Sequence, residues 1–399
     1  MGRLTLSGRG RRRLLGGHPW VYADDVTESE AEPGELVCVH GPDGSLLGHG
    51  LYSSRSRIAL RLVTRRSEAP GREFWASRVE QALALRASAG LLDPRDACRL
   101  ISGDADGFPG LVVDRYADAL VFQSGCQGSD RMVELVLELL TERLPFPVGA
   151  ALERSDASVR AHEALEPRVR WLRGERSEPF EVHEAARPGR PALVYEVSLT
   201  EGHKTGHYLD QRENRAHAAR HARGARVLDA FSYDGLFGIR AALEGAREVL
   251  ALDQSQEALE RAARNAERNG VAGALRTRRA NAMHELRALG QAGERFDLVV
   301  CDPPAFARKK SELEGALRGY RELNRRALEL VAPGGLLVSC SCSHNVDRLS
   351  FRAALGAAAF AAGREARIVD FTGAGEDHPV LATLPESEYL KCAFVRVGS

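Results

Sequence analysis

The chain has 399 residues, which is enough for more than one domain. With 44% hydrophobic and 28% charged residues, the composition is typical of an ordinary soluble globular protein. The 55 basic and 55 acidic residues cancel, which excludes a globally basic nucleic-acid binder and leaves only a local basic surface for such a role.

Seven cysteines occur, and no two of them have the Cys-x-x-Cys spacing. An odd number of cysteines without that motif favours reduced thiols in a cytoplasmic protein over a disulfide framework. The basic amino terminus is not followed by an apolar run, and no stretch is long and apolar enough to span a bilayer. We therefore expect neither a signal peptide nor association with a membrane.

Residues 1–70 are predicted to form a small β-barrel. Short apolar runs at residues 34–39, 46–52 and 58–63 are typical of strands, and turn residues at 41–44 separate the first two runs. Short strands joined by frequent turns favour a small barrel.

A basic cluster lies near the start of this segment. Its cations are Arg9, Arg11, Arg12 and Arg13, and Trp20 follows in an aromatic stretch. Cationic groups beside exposed aromatic rings suit RNA, which is held through its phosphates and by stacking. A solvated basic tail and a core tryptophan explain the same residues equally well, so both interpretations stay open.

Residues 71–191 are predicted to be a small α+β domain. Helical periodicity runs from Glu73 to Ala89 and again from Arg131 to Leu144. Between these helices, residues 111–123 contain two strand-like runs around a turn, which indicates a hairpin.

No metal site is predicted. Three carboxylates fall in one turn-rich stretch, at Asp104, Asp106 and Asp114. Their spacing is not that of an EF-hand, so we expect them to form turns. Cys340, Cys342 and His344 are closely spaced but have no matching second pair of zinc ligands.

Cys340 and Cys301 are expected to be buried and unreactive.

Residues 192–399 alternate strands and helices, which is the signature of a doubly wound parallel sheet. The predicted core strands are residues 226–231, 248–253, 276–280, 296–301 and 336–341. In such sheets ligands bind at the carboxyl ends of the strands, and we expect the functional site there.

The loop after the first of these strands, residues 232–238, contains glycines that allow the backbone to approach a ligand. It lacks the Gly-x-Gly-x-x-Gly pattern of a dinucleotide site, so no phosphate cradle is required. Asp253 ends the next strand about twenty residues further on, where an α/β nucleotide site places a carboxylate on ribose hydroxyls. These features suit S-adenosylmethionine better than a dinucleotide.

Two other strand ends supply an acid and a thiol. Asp302 and two prolines follow the strand at 296–301, and Cys342 follows the strand at 336–341. Because neighbouring parallel strands end at the same rim of the sheet, we expect the carboxyl group and the thiol to lie close together.

Several ordered motifs give the chain a specific resemblance. They lie at residues 17–22, 106–116, 202–212, 302–306, 318–320 and 341–343. Over nearly its whole length the chain resembles the PUA-domain-containing, S-adenosylmethionine-dependent methyltransferases that form 5-methylcytosine in 23S ribosomal RNA of the large subunit. The resemblance implies a PUA β-barrel at the amino terminus, a central α+β domain and a Rossmann-like methyltransferase domain at the carboxyl terminus.

The resemblance also implies roles for individual residues. Cys342 is expected to be the nucleophile and Asp302 its partner at the base edge, while Lys204 is expected to contact RNA. The implied cofactor residues are Asp229, Phe231, Ser232, Tyr233, Gly235, Asp253, Asn281, Asp302, Tyr208 and Gln211. Asn281 departs from the acid usual at its position, and Ala305 stands where two-cysteine RNA cytosine methyltransferases carry their second cysteine.

The chemistry of cytosine explains the need for a thiol. Carbon 5 is a poor nucleophile, but a thiolate that adds to carbon 6 creates an enamine that can attack the methyl sulfonium. The thiol must favour its thiolate form, and a group at the base edge must stabilise the adduct. A base must then remove the carbon-5 proton, and the sequence does not identify it.

Two other functions stay open. A methyltransferase acting on a purine nitrogen would need no cysteine, and an RNA-binding ribosome assembly factor would need no catalysis. Lys204, Tyr208 and Gln211 fit the packing of a surface β-segment as well as they fit a binding role. The expected partner is 23S ribosomal RNA or a large-subunit precursor, and the resemblance implies a homodimer.

Overall fold

The computed structural model describes residues 1–184, 191–307 and 309–398. Contacts within the chain divide it into two compact units. The first unit comprises Met1–Val182, Val197–Leu209 and Glu376–Ser387. The second unit comprises His183–Glu196, Asp210–Gly375 and Glu388–Ser399.

The predicted division into domains at residues 1–70, 71–191 and 192–399 stays a prediction. Almost all of the first two segments falls in the first compact unit, but each has its own sheet and its own cluster of buried apolar side chains. Two sheets within one unit are compatible with two predicted domains that pack as one body.

The first sheet has six strands. They are β1 (Arg3–Leu6), β2 (Trp20–Tyr22), β3 (Val26–Glu30), β4 (Leu36–His40), β5 (Leu46–Tyr52) and β6 (Ile58–Thr64), in the order β2-β6-β5-β4-β1-β3. The three strands predicted from apolar runs correspond to β4, β5 and β6. The strands β1 and β3 are short pieces without a comparable run, and the sequence did not predict them.

Helix α1 (Gly8–Leu15) contains the basic cluster. The hydroxyl of Ser7 caps it by accepting a hydrogen bond from the amide of Gly10, and Leu14 is buried. The cap and the buried leucine hold these residues in a helix and not in a tail, while Arg12 on that helix is exposed to solvent.

The second sheet forms most of the central segment. Its strands are β7 (Ala97–Ser102), β8 (Leu111–Tyr116), β9 (Ala119–Ser124), β10 (Ala150–Ser155) and β11 (Arg168–Arg173), in the order β11-β10-β9-β8-β7. The accompanying helices are α2 (Arg72–Ser88), α3 (Gln127–Asp130) and α4 (Val133–Arg143). The two predicted helices and the predicted hairpin of β8 and β9 are confirmed. Strands β12 (Phe180–Glu184) and β13 (Leu193–Val197) form a separate two-stranded sheet.

The three carboxylates that were expected to form turns bind protein groups, and the expectation is wrong for Asp114, which lies within strand β8. Asp106 accepts two hydrogen bonds from the buried guanidinium of Arg86, at 2.7 and 2.8 Å. Asp114 is bound in the same bidentate way by Arg99, at 2.8 and 3.0 Å. In the described ranges, no three potential ligands are arranged to hold a metal ion.

The third sheet lies in the second unit and has seven strands. They are β14 (Arg226–Ala230), β15 (Glu248–Asp253), β16 (Leu275–Arg279), β17 (Phe296–Cys301), β18 (Val331–Ser341), β19 (Ala366–Thr372) and β20 (Lys391–Val397). Their order is β16-β15-β14-β17-β18-β20-β19. The first five strands are parallel, and β20 runs antiparallel to both of its neighbours.

Helices connect and cover these strands. They are α5 (Arg212–Ala219), α6 (Leu236–Leu243), α7 (Gln256–Arg268), α8 (Ala282–Gln291), α9 (Leu313–Leu330) and α10 (Arg348–Ala361). The side chains of β14 and β17 are almost entirely buried, as expected for central parallel strands covered on both faces. No helix of the described residues is long and apolar enough to cross a membrane.

Strand β14 is the topological switch point of this sheet. It pairs with β15 on one side and with β17 on the other, so the chain winds outward from it in two directions. Ligands bind outside the carboxyl ends of the strands at such a point. The ends of β14, β15 and β17 carry Asp229, Asp253 and Asp302, so the fold places the predicted site residues at this crevice.

Candidate active site

The structure brings the loop of Asp302 and the thiol of Cys342 together. Strands β17 and β18 are paired with Cys301 opposite Ser339, so both chains leave the sheet at the same edge. The sulfur of Cys342 lies 3.9 Å from the carbonyl oxygen of Pro303, directly after Asp302. The thiol of Cys342 is half-buried, so it is accessible from the crevice side of the fold.

A hydrogen-bond network around Ser343 holds these two loops in register. Its buried hydroxyl oxygen accepts hydrogen bonds from the amides of Phe306 and Ala307, at 3.1 and 3.3 Å. The hydroxyl of Tyr320, from α9, lies 3.0 Å from the same oxygen. Burial raises the pKa of Tyr320, which keeps the phenol neutral and able to donate. We name Ser343, Tyr320 and the two amides the serine latch.

The other two cysteines near the site are core residues, as predicted. Cys340 is fully buried on β18, with its sulfur 3.3 Å from that of Cys392 on β20. The contact with the Cys392 thiol and burial both raise the pKa of Cys340. Burial likewise raises the pKa of Cys301. Both groups therefore stay protonated at neutral pH and cannot serve as nucleophiles.

Carboxyl groups crowd at the switch point. Asp229 is buried, and desolvation raises its pKa to about 7, with the neighbouring carboxylates of Asp302, Asp253 and Asp234 adding to the effect. The amide of Gly238 donates to Asp229 and opposes this shift only in part. A cluster of like charges beside a crevice favours a ligand that carries positive charge.

The loop from residue 231 to residue 235 has a strained backbone. Phe231 and Tyr233 have φ angles of 63° and 52°, which L-residues with bulky side chains rarely adopt. Gly235 has a φ of 80°, and a Cβ there would lie 2.9 Å from the Cβ of Ala262. The hydroxyl of Ser232 is buried and has no hydrogen-bond partner among the described residues. Strain and an orphaned hydroxyl in one loop indicate that it is shaped for a ligand.

Asp253 and Asn281 stand at the ends of the next strands. The carboxylate of Asp253 accepts hydrogen bonds from the amides of Tyr233 and Ser255, both at 2.9 Å, so its orientation is fixed. Asn281 is exposed, and its side-chain oxygen caps α8 by accepting from the amide of His284 at 3.2 Å. The amide nitrogen of Asn281 is not used by this cap.

The remaining predicted cofactor residues fall in different units. Gln211 belongs to the second unit, where it is buried and accepts a hydrogen bond from Asn214 at 2.7 Å. Tyr208 and Lys204 belong to the first unit, where the ammonium of Lys204 lies 4.6 Å from the centre of the Tyr208 ring. His203 completes this small cluster, with its Nδ1 2.9 Å from the Tyr208 hydroxyl.

The predicted RNA-binding side chains of the first unit divide into two kinds. Arg9 forms a hydrogen-bonded ion pair with buried Asp25, and the indole N–H of Trp20 donates to Asp104 at 2.8 Å, so both have structural partners. Arg12 is exposed on α1. Two further arginines have weaker contacts, which are an ion pair of Arg11 with Asp43 and the stacking of Arg13 over Tyr22.

Sequence reasoning did not single out Lys391, the first residue of β20. It is almost completely buried, and its ammonium donates to the carbonyl oxygens of Ser343 and Tyr389, both at 2.7 Å. The available signal was a lysine directly before the apolar run at residues 392–395, because a buried strand rarely accepts a charge.

Comparison with known proteins first defines the class. Residues 137–381 match the family described as S-adenosylmethionine-dependent methyltransferase, and residues 4–65 match the PUA-like domain. A solved structure of a putative methyltransferase complexed with SAH has a TM-score of 0.84 at 20% identity, with complete coverage of both chains. A second one, from Streptococcus mutans, has a TM-score of 0.82 at 19% identity with complete coverage. The chain is an S-adenosylmethionine-dependent methyltransferase with an N-terminal PUA-like domain.

Full-length relatives narrow the class further. The chain is 37% identical to Ribosomal RNA large subunit methyltransferase I of Aeromonas hydrophila, over 97% of this chain and 98% of the relative. It is also 37% identical to the protein of that name from Klebsiella pneumoniae, over 99% and 98% of the two chains. The chain belongs to the family of ribosomal RNA large subunit methyltransferase I. The predicted family, fold class and cofactor are confirmed.

The residues at the switch point fit this cofactor. S-adenosylmethionine carries a sulfonium and an ammonium group, and the crowded carboxyl groups around Asp229 provide the complementary potential. The orphaned hydroxyl of Ser232 suits a ligand that carries hydroxyl or other polar groups.

Proposed function

We propose that this protein methylates carbon 5 of a cytosine in 23S ribosomal RNA through a covalent adduct between Cys342 and carbon 6. The observation that carries this proposal is the position of the Cys342 sulfur, 3.9 Å from the Pro303 carbonyl in the Asp302 loop. The names of the two relatives support large-subunit ribosomal RNA as the substrate.

Residues of this chain are assigned to the formation of the adduct and to its stabilisation. The Cys342 thiolate forms a bond to carbon 6, and the electrons of the 5,6 double bond make carbon 5 nucleophilic. Asp302 shares a proton with the ring-nitrogen and amino edge of the base, which stabilises the charge of the adduct. S-adenosylmethionine supplies the electrophilic methyl group. Loss of the carbon-5 proton to a base then expels the Cys342 thiolate and frees the enzyme.

The cofactor is proposed to lie along the carboxyl ends of β14 and β15. The fixed carboxylate of Asp253 would accept hydrogen bonds from the ribose hydroxyls. The side-chain nitrogen of Asn281 does not take part in the helix cap and would donate a hydrogen bond to the edge of the adenine ring. The hydroxyl of Ser232 would form a hydrogen bond with the ligand, and the carboxyl group of Asp229 would compensate the positive charge of the ligand. Roles for Phe231, Tyr233, Tyr208 and Gln211 follow from the family resemblance.

The RNA is proposed to contact the PUA-like domain through Arg12, together with Arg11 and Arg13. Arg12 is exposed on a helix, so its charge is available for a phosphate. Lys204 is a further proposed contact. Assembly as a homodimer and a cytoplasmic location stay predictions.

The decisive experiment replaces the proposed nucleophile. Cys342→Ser should abolish formation of 5-methylcytosine, measured by mass spectrometry of nucleosides from 23S ribosomal RNA incubated with the enzyme and S-adenosylmethionine. Cys340→Ala is the matched control, because its thiol is buried and faces Cys392. RNA containing 5-fluorocytosine should trap the wild-type enzyme as a covalent complex and should not trap Cys342→Ser, because fluorine blocks the final elimination.

Other outcomes select the alternatives. Full turnover of Cys342→Ser with a methylated purine as product would establish methylation of a purine nitrogen. No heat of S-adenosylmethionine binding in calorimetry of the wild-type protein would leave an RNA-binding assembly factor as the function.

A further inference from the structure

Lys391 is a buried cation without a buried anion to balance it. Its side chain is 2% exposed, and its two hydrogen bonds go to the neutral carbonyl oxygens of Ser343 and Tyr389. Among the described residues, no carboxylate lies within ion-pair distance of it. Burying a charge in this way is costly, and an apolar side chain would fill the same volume without that cost.

Lys391 lies beside the residues on both sides of Cys342. In the pairing of β18 with β20, Lys391 lies directly opposite Ser341, the residue before Cys342. The ammonium then reaches past that pair and binds the carbonyl oxygen of Ser343, the residue after Cys342, at 2.7 Å. The cation is therefore fastened to the short segment that carries the thiol.

Charged groups of both signs lie on the elements around the thiol. Asp302, at the end of β17, brings a negative charge to the same edge, and Tyr320 from α9 is neutral. At the amino end of α10, Asp347 and Arg348 carry opposite charges. Before β20, Glu388 forms an ion pair with Arg348. The residue after Ser343 is His344, whose ring stacks on Tyr389.

The electrostatic coupling runs in both directions. Burial lowers the pKa of Lys391 to about 8, while the charges of the Cys342 thiolate, Glu388 and Asp347 oppose that shift. If a thiolate favours the charged lysine, the charged lysine favours the thiolate by the same free energy.

We propose that Lys391 is a positioning residue for Cys342, fixing the backbone on which the thiol stands and supplying the positive charge that favours the thiolate. This inference rests on the proposed covalent mechanism, in which the reacting species is the Cys342 thiolate. It explains why β20 keeps a buried charge at its first residue.

The test measures the thiolate directly. The rate of alkylation of Cys342 by iodoacetamide is followed against pH in the full-length protein, in a Cys38→Ser background that removes the other partly exposed thiol. In Lys391→Met the midpoint of this profile should move up by about one pH unit, which lowers the alkylation rate near neutral pH about tenfold. Lys391→Arg keeps the charge, and its midpoint should stay close to that of the wild type.

Two controls separate electrostatics from folding. Calorimetry with S-adenosylmethionine should give the same dissociation constant for Lys391→Met and the wild type, which shows that the cofactor crevice is intact. If Lys391→Met does not fold, Lys391→Gln is measured instead, because its amide can still donate to one carbonyl oxygen without a charge. An unchanged midpoint in a folded, uncharged variant overturns the inference, and so does an equal shift in Lys391→Arg.

The result is independent of the proposed methylation. Alkylation reports the ionisation of the thiol whether or not Cys342 attacks cytosine. If Cys342→Ser keeps its turnover while the alkylation midpoint shifts in Lys391→Met, the proposed function fails and the effect of Lys391 on the thiol stands. If the midpoint does not shift while Cys342→Ser is inactive, the nucleophile stands and the role of Lys391 fails.

Discussion

Charge is arranged in opposite ways in the first unit and at the carboxyl edge of the third sheet. In the first unit, the buried guanidinium of Arg86 binds Asp106 through two hydrogen bonds, and Arg99 binds Asp114 in the same way. At the sheet edge, carboxyl groups crowd together, and the pKa of Asp229 rises to about 7. Paired opposite charges have a structural role in the fold. Crowded like charges repel one another, and a cationic ligand can relieve that repulsion when it binds.

The largest effect on the carboxyl edge of the third sheet is expected for Asp302→Asn. If the carboxyl group shares a proton with the base edge, its loss should lower methyl transfer by roughly 10²–10⁴-fold, measured as single-turnover methylation of 23S ribosomal RNA. Asp297→Asn, near the amino end of the same strand, is the matched control and should keep its turnover. Equal rates for Asp302→Asn and the wild type would remove Asp302 from the mechanism.

In the first unit, the corresponding change is Arg86→Met. It leaves the Asp106 carboxylate buried without its partner, which should lower the free energy of unfolding by about 3–5 kcal/mol in a urea titration. Arg72→Met breaks ion pairs on the surface and serves as the control, with no comparable loss expected. Similar losses in the two variants would show that burial of the pair is not what matters.

A smaller effect with the opposite sign is expected for Asp229→Asn. The folded pKa of Asp229 is about 7, above its unfolded value, so the wild-type protein loses stability as pH rises from the unfolded pKa to about 7. Asparagine does not ionise, so the stability advantage of the cofactor-free variant over the wild type should shrink by roughly 3 kcal/mol from pH 8 to pH 5, because about two pH units separate pH 5 from the folded pKa of Asp229. The same variant should bind S-adenosylmethionine more weakly in calorimetry. A stability difference that does not depend on pH would contradict this account.

The smallest effect is expected for Arg12→Gln on α1. Removing one phosphate contact should weaken RNA binding and reduce the slope of log K against log salt by about one. Arg9→Gln is the informative comparison, because Arg9 is already held by Asp25 and should change the slope less. An unchanged slope in Arg12→Gln would exclude this arginine from the RNA surface.

The sequence predicted the parts of the molecule whose cause is local. The strands of the third sheet are short apolar runs, and Asp302 and Cys342 were recognised because they directly follow two of them. The prolines and the glycines of the cofactor loop have a local conformational meaning as well. Boundaries differed by only a few residues, such as the start of α2 at Arg72 in place of Glu73.

The parts that the sequence did not predict depend on distant residues. Helix α1 has two glycines and few apolar side chains, so its cap by Ser7 and the burial of Leu14 decide its conformation. The hydroxyl of Ser343 became important only because two amides and Tyr320 converge on it. Lys391 looks like a surface lysine until β20 places it opposite Ser341. Tertiary placement gives each of these residues its role.

The serine latch has a consequence for how the enzyme meets its target. One hydroxyl oxygen, that of Ser343 next to Cys342, accepts hydrogen bonds from two amides of the loop that follows Asp302, so it ties the two loops together at one point. Enzymes that act on a base take it out of its stack, and in the proposed reaction the cytosine reaches Cys342 and Asp302 in the same way. In the proposed reaction, the conformational adjustment therefore falls on the RNA, and a nucleotide that unstacks easily is the one that this protein can reach.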